Sequence, residues 1–537
     1  MMSVPTRRLA EPDWYQAGHW RREPLWQTFE AAARSAGSAS LICDDQETIG
    51  LDDLLLRARR IAGGLAAAGV RRGRGVIVHS RNCIDAYAAL LACFARGYVA
   101  IPLPPMFSES QIVAVTNSAD ADGLLLLDEE RESNIAAILR QPSGLRVVYS
   151  TAADATGDSR LRPWHACLEA DAADIALVDP DDDALVLYSS GSTGAPKGVV
   201  HNGNSVRFAM ESLAGFHGVG TRDRILVALE FGFVGGTVLG ALLGLIRGAS
   251  VMLMRRWDVA HCFDLIERHA ITYTLLMPTH CFDVASGIDT NARDTSSLAR
   301  AILAGATPEQ RRKSIGRFCG VALPMYGMSE SIAHCTCAPD DPETWRVETD
   351  GRPISGTELA ILDDSGKPVA VGESGNVYLR GPNRMRRYQG RPDLTDKAIL
   401  EGGWFATGDR AVREEGECMR FSARTSETIR RGGIMIQPAE IELALRNHPA
   451  LKDVAVVGVA DDRLGQRICA CFIRRGDQTF DLEAVRAYLA ATGLPRYQWP
   501  EILLEFEEFP RTPSLKVRRA DLARLAQERT GRSGGGR

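Results

Sequence analysis

The chain has 537 residues, 45% of them hydrophobic and 24% charged, with a net charge of −5 at neutral pH. That balance matches soluble globular proteins with ample core for a large enzyme, which excludes disordered, collagen-like and disulfide-scaffold classes, and the length predicts roughly two to four domains. No global basic field recommends nucleic acid or anionic lipid as a partner, and 12 cysteines without regular spacing read as reduced thiols in a cytoplasmic protein.

The opening stretch, MMSVPTRRLAEPDWY, has no apolar segment of the kind a secretory signal needs. Residues 51–69, LDDLLLRARRIAGGLAAAG, carry apolar side chains at helical spacing and stop at Gly69. The β-branched run GVIVHS follows, then a second helical stretch, DAYAALLACFARG, that ends in Gly97. VAIPL, GLLLLD (123–128) and ALVLYSS (184–190) continue as buried strands. Strands alternating with helices predict a mostly parallel sheet covered on both faces.

Directly after the strand ALVL comes YSSGSTGAPKG (188–198). Its glycines let backbone N–H groups turn toward an anion, its hydroxyls add donors, and its lysine adds charge. The run therefore predicts a phosphate cradle built from Ser190, Gly191, Ser192, Thr193, Gly194 and Lys197. It is not a Walker loop, because Lys197 follows Pro196 and no G-x-x-x-x-G-K-[ST] occurs. The lysine carries extra weight, since the chain has only six lysines, at 197, 313, 367, 397, 452 and 516, among 63 basic residues. A planar, forked guanidinium does not replace a point donor in a tight site.

Phe231 to Ile246 is apolar, but it is 16 residues long with five glycines, and a membrane span needs about 20 apolar residues. It reads as a buried strand and helix, so no membrane span is expected. From about residue 350, short strands separated by turn signals predict a β-rich subdomain. Beyond Arg424, AEIELALRN, DVAVVGVAD and LEAVRAYLAAT read as a compact α+β unit, and GRSGGGR as a frayed end. His334-Cys335-Thr336-Cys337 alternates like a strand and lacks a second ligand pair for a metal.

YSSGSTGAPKG resembles the phosphate loop of the adenylate-forming superfamily: acyl-CoA synthetases, stand-alone adenylation enzymes and luciferases. Further motifs occur in the family's order: PMYGMSE (324–330), WFATGD (404–409), ARTSETIRRGG (423–433) and PRTPSLKVRR (510–519). The resemblance covers roughly residues 12 to 525. It implies an α/β fold with a large N-terminal domain (1–426) of two doubly wound subdomains plus a small β-rich one. A small mobile α+β domain (427–526) would carry the catalytic lysine, and a disordered tail (527–537) would end the chain.

The implied activity is an ATP- and Mg²⁺-dependent acid–CoA ligase that forms acyl-AMP and passes the acyl group to CoA. The nearest alternative loads the phosphopantetheine of a carrier protein, and a luciferase-like oxygenase is a third. The oligomeric state stays open.

The resemblance assigns roles residue by residue. Glu330 is the Mg²⁺-directed carboxylate, and a hard oxygen ligand suits that ion. Ser329 offers a hydroxyl to phosphate, Tyr326 a flat face for adenine, and Asp409 a carboxylate for the ribose hydroxyls. Arg424 lies near ribose and phosphate. Ala304, Gly305 and Ala306 line adenine and the acyl pocket, with Phe233 on the acyl side. Lys516 reaches the carboxylate and the ribose-phosphate oxygens during adenylation, while Glu427 keeps the hinge carboxylate and Gly433 lines the thiol tunnel. Two departures stand out: Leu515 where the family has Gly, and Ser426 where the hinge has Lys. Gly232 follows Phe231 in place of the Asp that pairs with an α-amino group. Together with Phe233, Gly235, Gly236 and Ala304, this predicts a partly open pocket for an uncharged, medium-sized acid: fatty, alicyclic or aromatic.

Overall fold

The computed structural model describes residues 12–37, 39–43, 46–128, 135–140, 143–152, 157–189, 197–289, 292–424, 429–431, 434–436, 438–461, 464–476, 480–492, 494, 496–512 and 516–533. The first large sheet has eight strands: Arg387–Tyr388, Lys197–Asn202, Asp183–Ser189, Val99–Leu103, Gly75–His79, Ala121–Leu126, Val147–Ser150 and Leu161–Pro163. Its centre is parallel, and the antiparallel hairpin of Asp183–Ser189 with Lys197–Asn202 closes one side.

The second has seven strands, ordered Val321–Leu323, Arg300–Leu303, Tyr273–Leu276, Arg224–Val227, Ser250–Leu253, Ser40–Cys43 and Glu47–Gly50. All its pairings are parallel except the last. The expected pair of doubly wound subdomains is thus present. Helix Ile84–Arg96 is buried at eleven of its residues, the signature of an element packed between layers rather than on a surface.

Beyond residue 324 the texture becomes antiparallel, earlier than the expected onset near residue 350. Met325–Met328, Ser331–Thr336 and Arg352–Pro353 form one small sheet, and Glu358–Leu362, Ser374–Arg380, Phe405–Arg413 and Met419–Arg424 another.

The C-terminal unit shows why alternation matters. Strands Leu451–Asp461 and Gly465–Arg474 pair over their length, and successive residues face opposite sides. Val456, Ile468, Ala470 and Phe472 pack with helices Pro438–Leu445 and Leu482–Thr492. Ala455, Val457, Val459, Cys469 and Cys471 face the other way, onto Leu522 and Ala526. Those two residues belong to helix Arg519–Ser533.

This corrects the expected disordered tail from residue 527: the chain is helical to Ser533, and 534–537 lie outside the described residues. A sheet apolar on both faces requires a second cover, and Leu522 and Ala526, both fully buried, supply it from an otherwise charged helix. Fully burying a leucine side chain alone contributes roughly 1.5–3 kcal/mol.

A second correction concerns 231–246. The strand ends earlier, at Val227, and residues 234–246 are helical, with a π-helical turn over Thr237–Leu242. Among the described residues no helix is long and apolar enough to cross a membrane.

Candidate active site

Parallel α/β sheets bind ligands beyond the carboxyl ends of their strands, and Ala304 follows such an end, that of strand Arg300–Leu303. The turn Ser329-Glu330 joins Met325–Met328 to Ser331–Thr336, with Met328 facing Ser331 across it. Two tethers hold this turn. The Met385 N–H donates to the Glu330 carbonyl (2.8 Å), and His201 Nε2 lies 2.7 Å from the Ser329 carbonyl oxygen. A carbonyl only accepts, so Nε2 carries the proton. Burial lowers the His201 pKa to about 4, which keeps the ring neutral at physiological pH. His201 is therefore a support for Ser329 rather than a nucleotide contact.

The Glu330 side chain is fixed as well. Tyr388 donates its hydroxyl to Glu330 Oε1 at 2.8 Å, and Lys197 Nζ lies 5.9 Å from the centre of the Tyr388 ring, within cation–π range of about 6 Å. Lys197 opens strand Lys197–Asn202, whose Val199 pairs with Tyr388. One phenol thus links two motif residues far apart in sequence. Ser190, Gly191, Ser192, Thr193 and Gly194 lie outside the described residues.

Tyr326 is buried at 8% exposure, its hydroxyl donates to Asp409 Oδ2 at 2.8 Å, and its ring stacks at 27° on Phe421, centroids 6.3 Å apart. Burial, with the neighbouring carboxylate, holds its phenol well above the usual range. Asp409 itself is 2% exposed, follows Gly408 at φ 73°, and its N–H donates to Thr407 Oγ1 at 2.9 Å. One of its two oxygens is therefore engaged by Tyr326, and each carboxylate oxygen has a second lone pair to offer. Asp409 pairs with Arg424 in the strand register.

Ala304, Gly305 and Ala306 follow strand Arg300–Leu303. Ala304 and Ala306 are buried, and Gly305 is exposed with φ 64°; a Cβ there would lie 2.9 Å from Pro278 Cγ. Small size is thus required by the neighbouring helix Pro278–Gly287.

Phe233 is half-buried and leads into helix Val234–Gly236. The turn before it is rigid. Gly232 has φ 91°, its N–H donates to Thr237 Oγ1 at 3.0 Å, and a Cβ on it would meet Pro104 N at 2.4 Å. Gly235 and Gly236 do not open the pocket, contrary to expectation. Both are buried, and a Cβ on either would come within 2.6 Å of Leu229, so they let the helix press against the bend that follows strand Arg224–Val227. Next to them Glu230 is partly buried, which raises its pKa, while Arg81 opposes the rise.

Lys516 lies on the C-terminal unit, exposed, in a loop closed by two bonds to Thr512: its N–H donates to Thr512 Oγ1 (3.1 Å), and its carbonyl accepts from the Thr512 N–H (2.7 Å). Glu427 and Gly433 lie outside the described residues, as do Ser426 and Leu515.

The structure therefore joins Lys197, Ser329 and Glu330 through Tyr388 and His201, and Tyr326 to Asp409. Tyr388 and Phe421 escape the sequence reading, because a lone aromatic inside MRRYQG or CMRFS has no diagnostic spacing. His334, by contrast, is fully engaged: Nδ1 lies 2.9 Å from Ser331 Oγ and Nε2 2.9 Å from the Glu358 carbonyl.

Mg²⁺ ordinarily takes one or two carboxylates, with substrate phosphates and waters completing its shell. Glu330 fits that requirement: a half-buried carboxylate at a hairpin tip, with Oε1 oriented by a phenol and a lysine ammonium nearby.

The sequence pattern of AMP-binding enzymes matches residues 28–389, and that of the AMP-binding enzyme C-terminal domain matches residues 440–516. The chain is 32% identical over 458 residues to the sulfoacetate–CoA ligase of Cupriavidus necator, covering 85% of this chain and 88% of that protein. It is 27% identical to the medium-chain fatty-acid–CoA ligase of Escherichia coli, covering 94% of this chain and 90% of that one. The solved structure of the o-succinylbenzoate CoA synthetase of Bacillus subtilis, in complex with its acyl-adenylate intermediate, superposes with a TM-score of 0.80. Its identity is 25%, and the match covers 94% of this chain and 98% of that one.

Proposed function

The chain belongs to the AMP-binding enzyme family, and from that premise we propose that it is an ATP-dependent acid–CoA ligase. The observation that carries this reading is the convergence of Lys197, Ser329 and Glu330 on Tyr388 and His201, beside the Tyr326–Asp409 pair. Cationic and hard-oxygen groups gathered at one place suit two anions that must be brought together.

In the first half-reaction a carboxylate oxygen of the acid attacks the α-phosphorus of ATP, and pyrophosphate leaves with the electrons of the broken P–O bond. Ser190 to Gly194 and Lys197 hold phosphate oxygens, and the Ser329 hydroxyl adds a donor. Glu330 would hold a Mg²⁺ ion, which would supply positive charge against the charge that develops on the phosphates. Asp409 and Arg424 hold the ribose, Tyr326 carries the adenine, and Lys516 bridges the acid carboxylate and the ribose-phosphate oxygens. In the second half-reaction the CoA thiol attacks the acyl carbonyl past Gly433 and AMP leaves, with Glu427 in the hinge that exchanges the two arrangements of the C-terminal domain.

The acid is an uncharged, medium-sized molecule that lies against Phe233, Ala304 and Gly305; the half-buried Phe233 and the small residues after strand Arg300–Leu303 support this. A cytoplasmic setting follows from the ATP and CoA it would use. ATP–pyrophosphate exchange over fatty, alicyclic and aromatic acids, with sulfoacetate as a charged comparison, tests the reading. Exchange with an uncharged acid supports it, and none with any acid removes its basis. AMP release on adding phosphopantetheinylated carrier protein but not CoA would point to carrier loading instead.

A further inference from the structure

Segment 384–389 touches both halves of the phosphate-handling site. Arg386 and Gln389 donate their N–H groups to the carbonyls of Val200 and Gly198, both at 2.8 Å, which pairs the segment antiparallel against the strand that Lys197 opens. Met385 donates to the Glu330 carbonyl, and Ser331 forms an isolated antiparallel bridge with Arg384. The segment is anchored from behind: Arg386 and Arg387 both reach Asp183 Oδ1, at 2.7 and 2.9 Å, and the Tyr388 N–H donates to Thr395 Oγ1 at 3.0 Å.

Tyr388 is therefore held at its backbone on two sides, with its side chain 9% exposed. From that fixed position its hydroxyl grips Glu330 Oε1 and its ring lies under the Lys197 ammonium. Gly198 permits the arrangement: a Cβ there would meet Tyr188 Cζ at 2.9 Å and Gln389 Cβ at 3.0 Å.

We propose that Tyr388 is the positioning residue that sets the Glu330 carboxylate toward the metal and spaces it from Lys197, an inference that rests on Glu330 as the Mg²⁺-directed carboxylate. With Oε1 tethered, rotation about the terminal carboxylate bond is arrested, and Oε2 is presented in one direction. A freely turning carboxylate would have to lose that freedom each time it bound the ion. Partners that orient a metal ligand are typically worth about 10- to 100-fold in metal affinity.

The test uses the full chain and Mn²⁺ as a paramagnetic probe, with bound Mn²⁺ measured by electron paramagnetic resonance in the presence of a non-hydrolysable ATP analogue. Tyr388→Phe keeps the ring under Lys197 and removes only the tether. It should weaken Mn²⁺ binding about tenfold and raise the half-saturating Mg²⁺ in pyrophosphate exchange by a similar factor, with lost rate recovered by added Mg²⁺. Tyr388→Leu should in addition raise the KM for ATP, because Lys197 loses its platform.

Glu330→Gln separates the two claims. If it leaves Mn²⁺ binding intact, the assignment of Glu330 fails. If Glu330→Gln weakens the metal and Tyr388→Phe does not, or if Tyr388→Phe lowers rate at every Mg²⁺ concentration with Mn²⁺ affinity unmoved, the positioning role is overturned. Near-isosteric 3-fluorotyrosine at position 388 gives a check independent of folding defects. Its ¹⁹F resonance should shift when Mg²⁺ joins the ATP analogue, and an unmoved resonance contradicts the proposal.

Discussion

The Tyr326 hydroxyl donates to Asp409 Oδ2 at 2.8 Å, across 83 residues of sequence, inside a cluster that includes Cys335, Val377 and Met419. A buried carboxylate needs its hydrogen-bond partners, and a bond to a charged acceptor contributes about 1.5–3 kcal/mol. The pairing makes the aromatic-Gly-x-Ser-Glu and Thr-Gly-Asp motifs one structural unit.

Tyr326→Phe should therefore destabilise the protein by about that amount and raise the KM for ATP while leaving the KM for the acid near its parent value. Thermal unfolding and a two-substrate kinetic matrix measure both. Equal changes in the two KM values would show that Asp409 serves the pocket generally and not the nucleotide.

Lys516 is one of six lysines in a chain that otherwise uses arginine. A cation placed where charge develops in a site shielded from water contributes about 10²–10³ in rate. Lys516→Ala should slow adenylation by that factor and spare thioester formation from preformed acyl-adenylate. Lys516→Arg should restore little, since a planar fork does not fit a point-donor site. An arginine variant as fast as the parent in pyrophosphate exchange would reduce Lys516 to a surface charge.

Acid should weaken the fold through its histidines. Burial lowers His201, His280 and His334 to about 4 and His217 to about 3, all from an ordinary value of 6.5. Between these values the unfolded chain binds protons that the native state refuses, so stability rises with pH there. The contribution is complete above pH 6.5 and is lost as the pH falls from 6.5 toward 4. Urea midpoints should be flat from pH 7 to 8 and drop steadily below 6.5, with a shallower drop in His334→Asn. A variant curve parallel to the parent's would contradict the assignment for that residue.

What could be seen without coordinates followed from local chemistry. The alternating strands and helices and the glycine-stopped helices 51–69 and 85–97 each carry their signal in a short window. Long-range logic was illegible. Tyr388 earns its place by pairing with Val199, and nothing in MRRYQG announces that register. Gly235 and Gly236 read as space, whereas the adjoining Leu229 makes them contact points. Helix Arg519–Ser533 is hidden by its charges, because Leu522 and Ala526, its fully buried apolar positions among the described residues, matter solely once the opposite sheet face is known.

In the proposed reaction the acid is activated through its own oxygen on the α-phosphorus. Turnover of an acid labelled with ¹⁸O in both carboxylate oxygens, with ATP, Mg²⁺ and CoA, measures this directly. The attacking oxygen forms the new bond to phosphorus and stays there when the thiol breaks the acyl C–O bond. Mass spectrometry should find one ¹⁸O in the AMP, unlabelled pyrophosphate, and one ¹⁸O in the thioester carbonyl. Label in inorganic phosphate with ADP as the nucleotide product, or AMP free of label, would contradict the account.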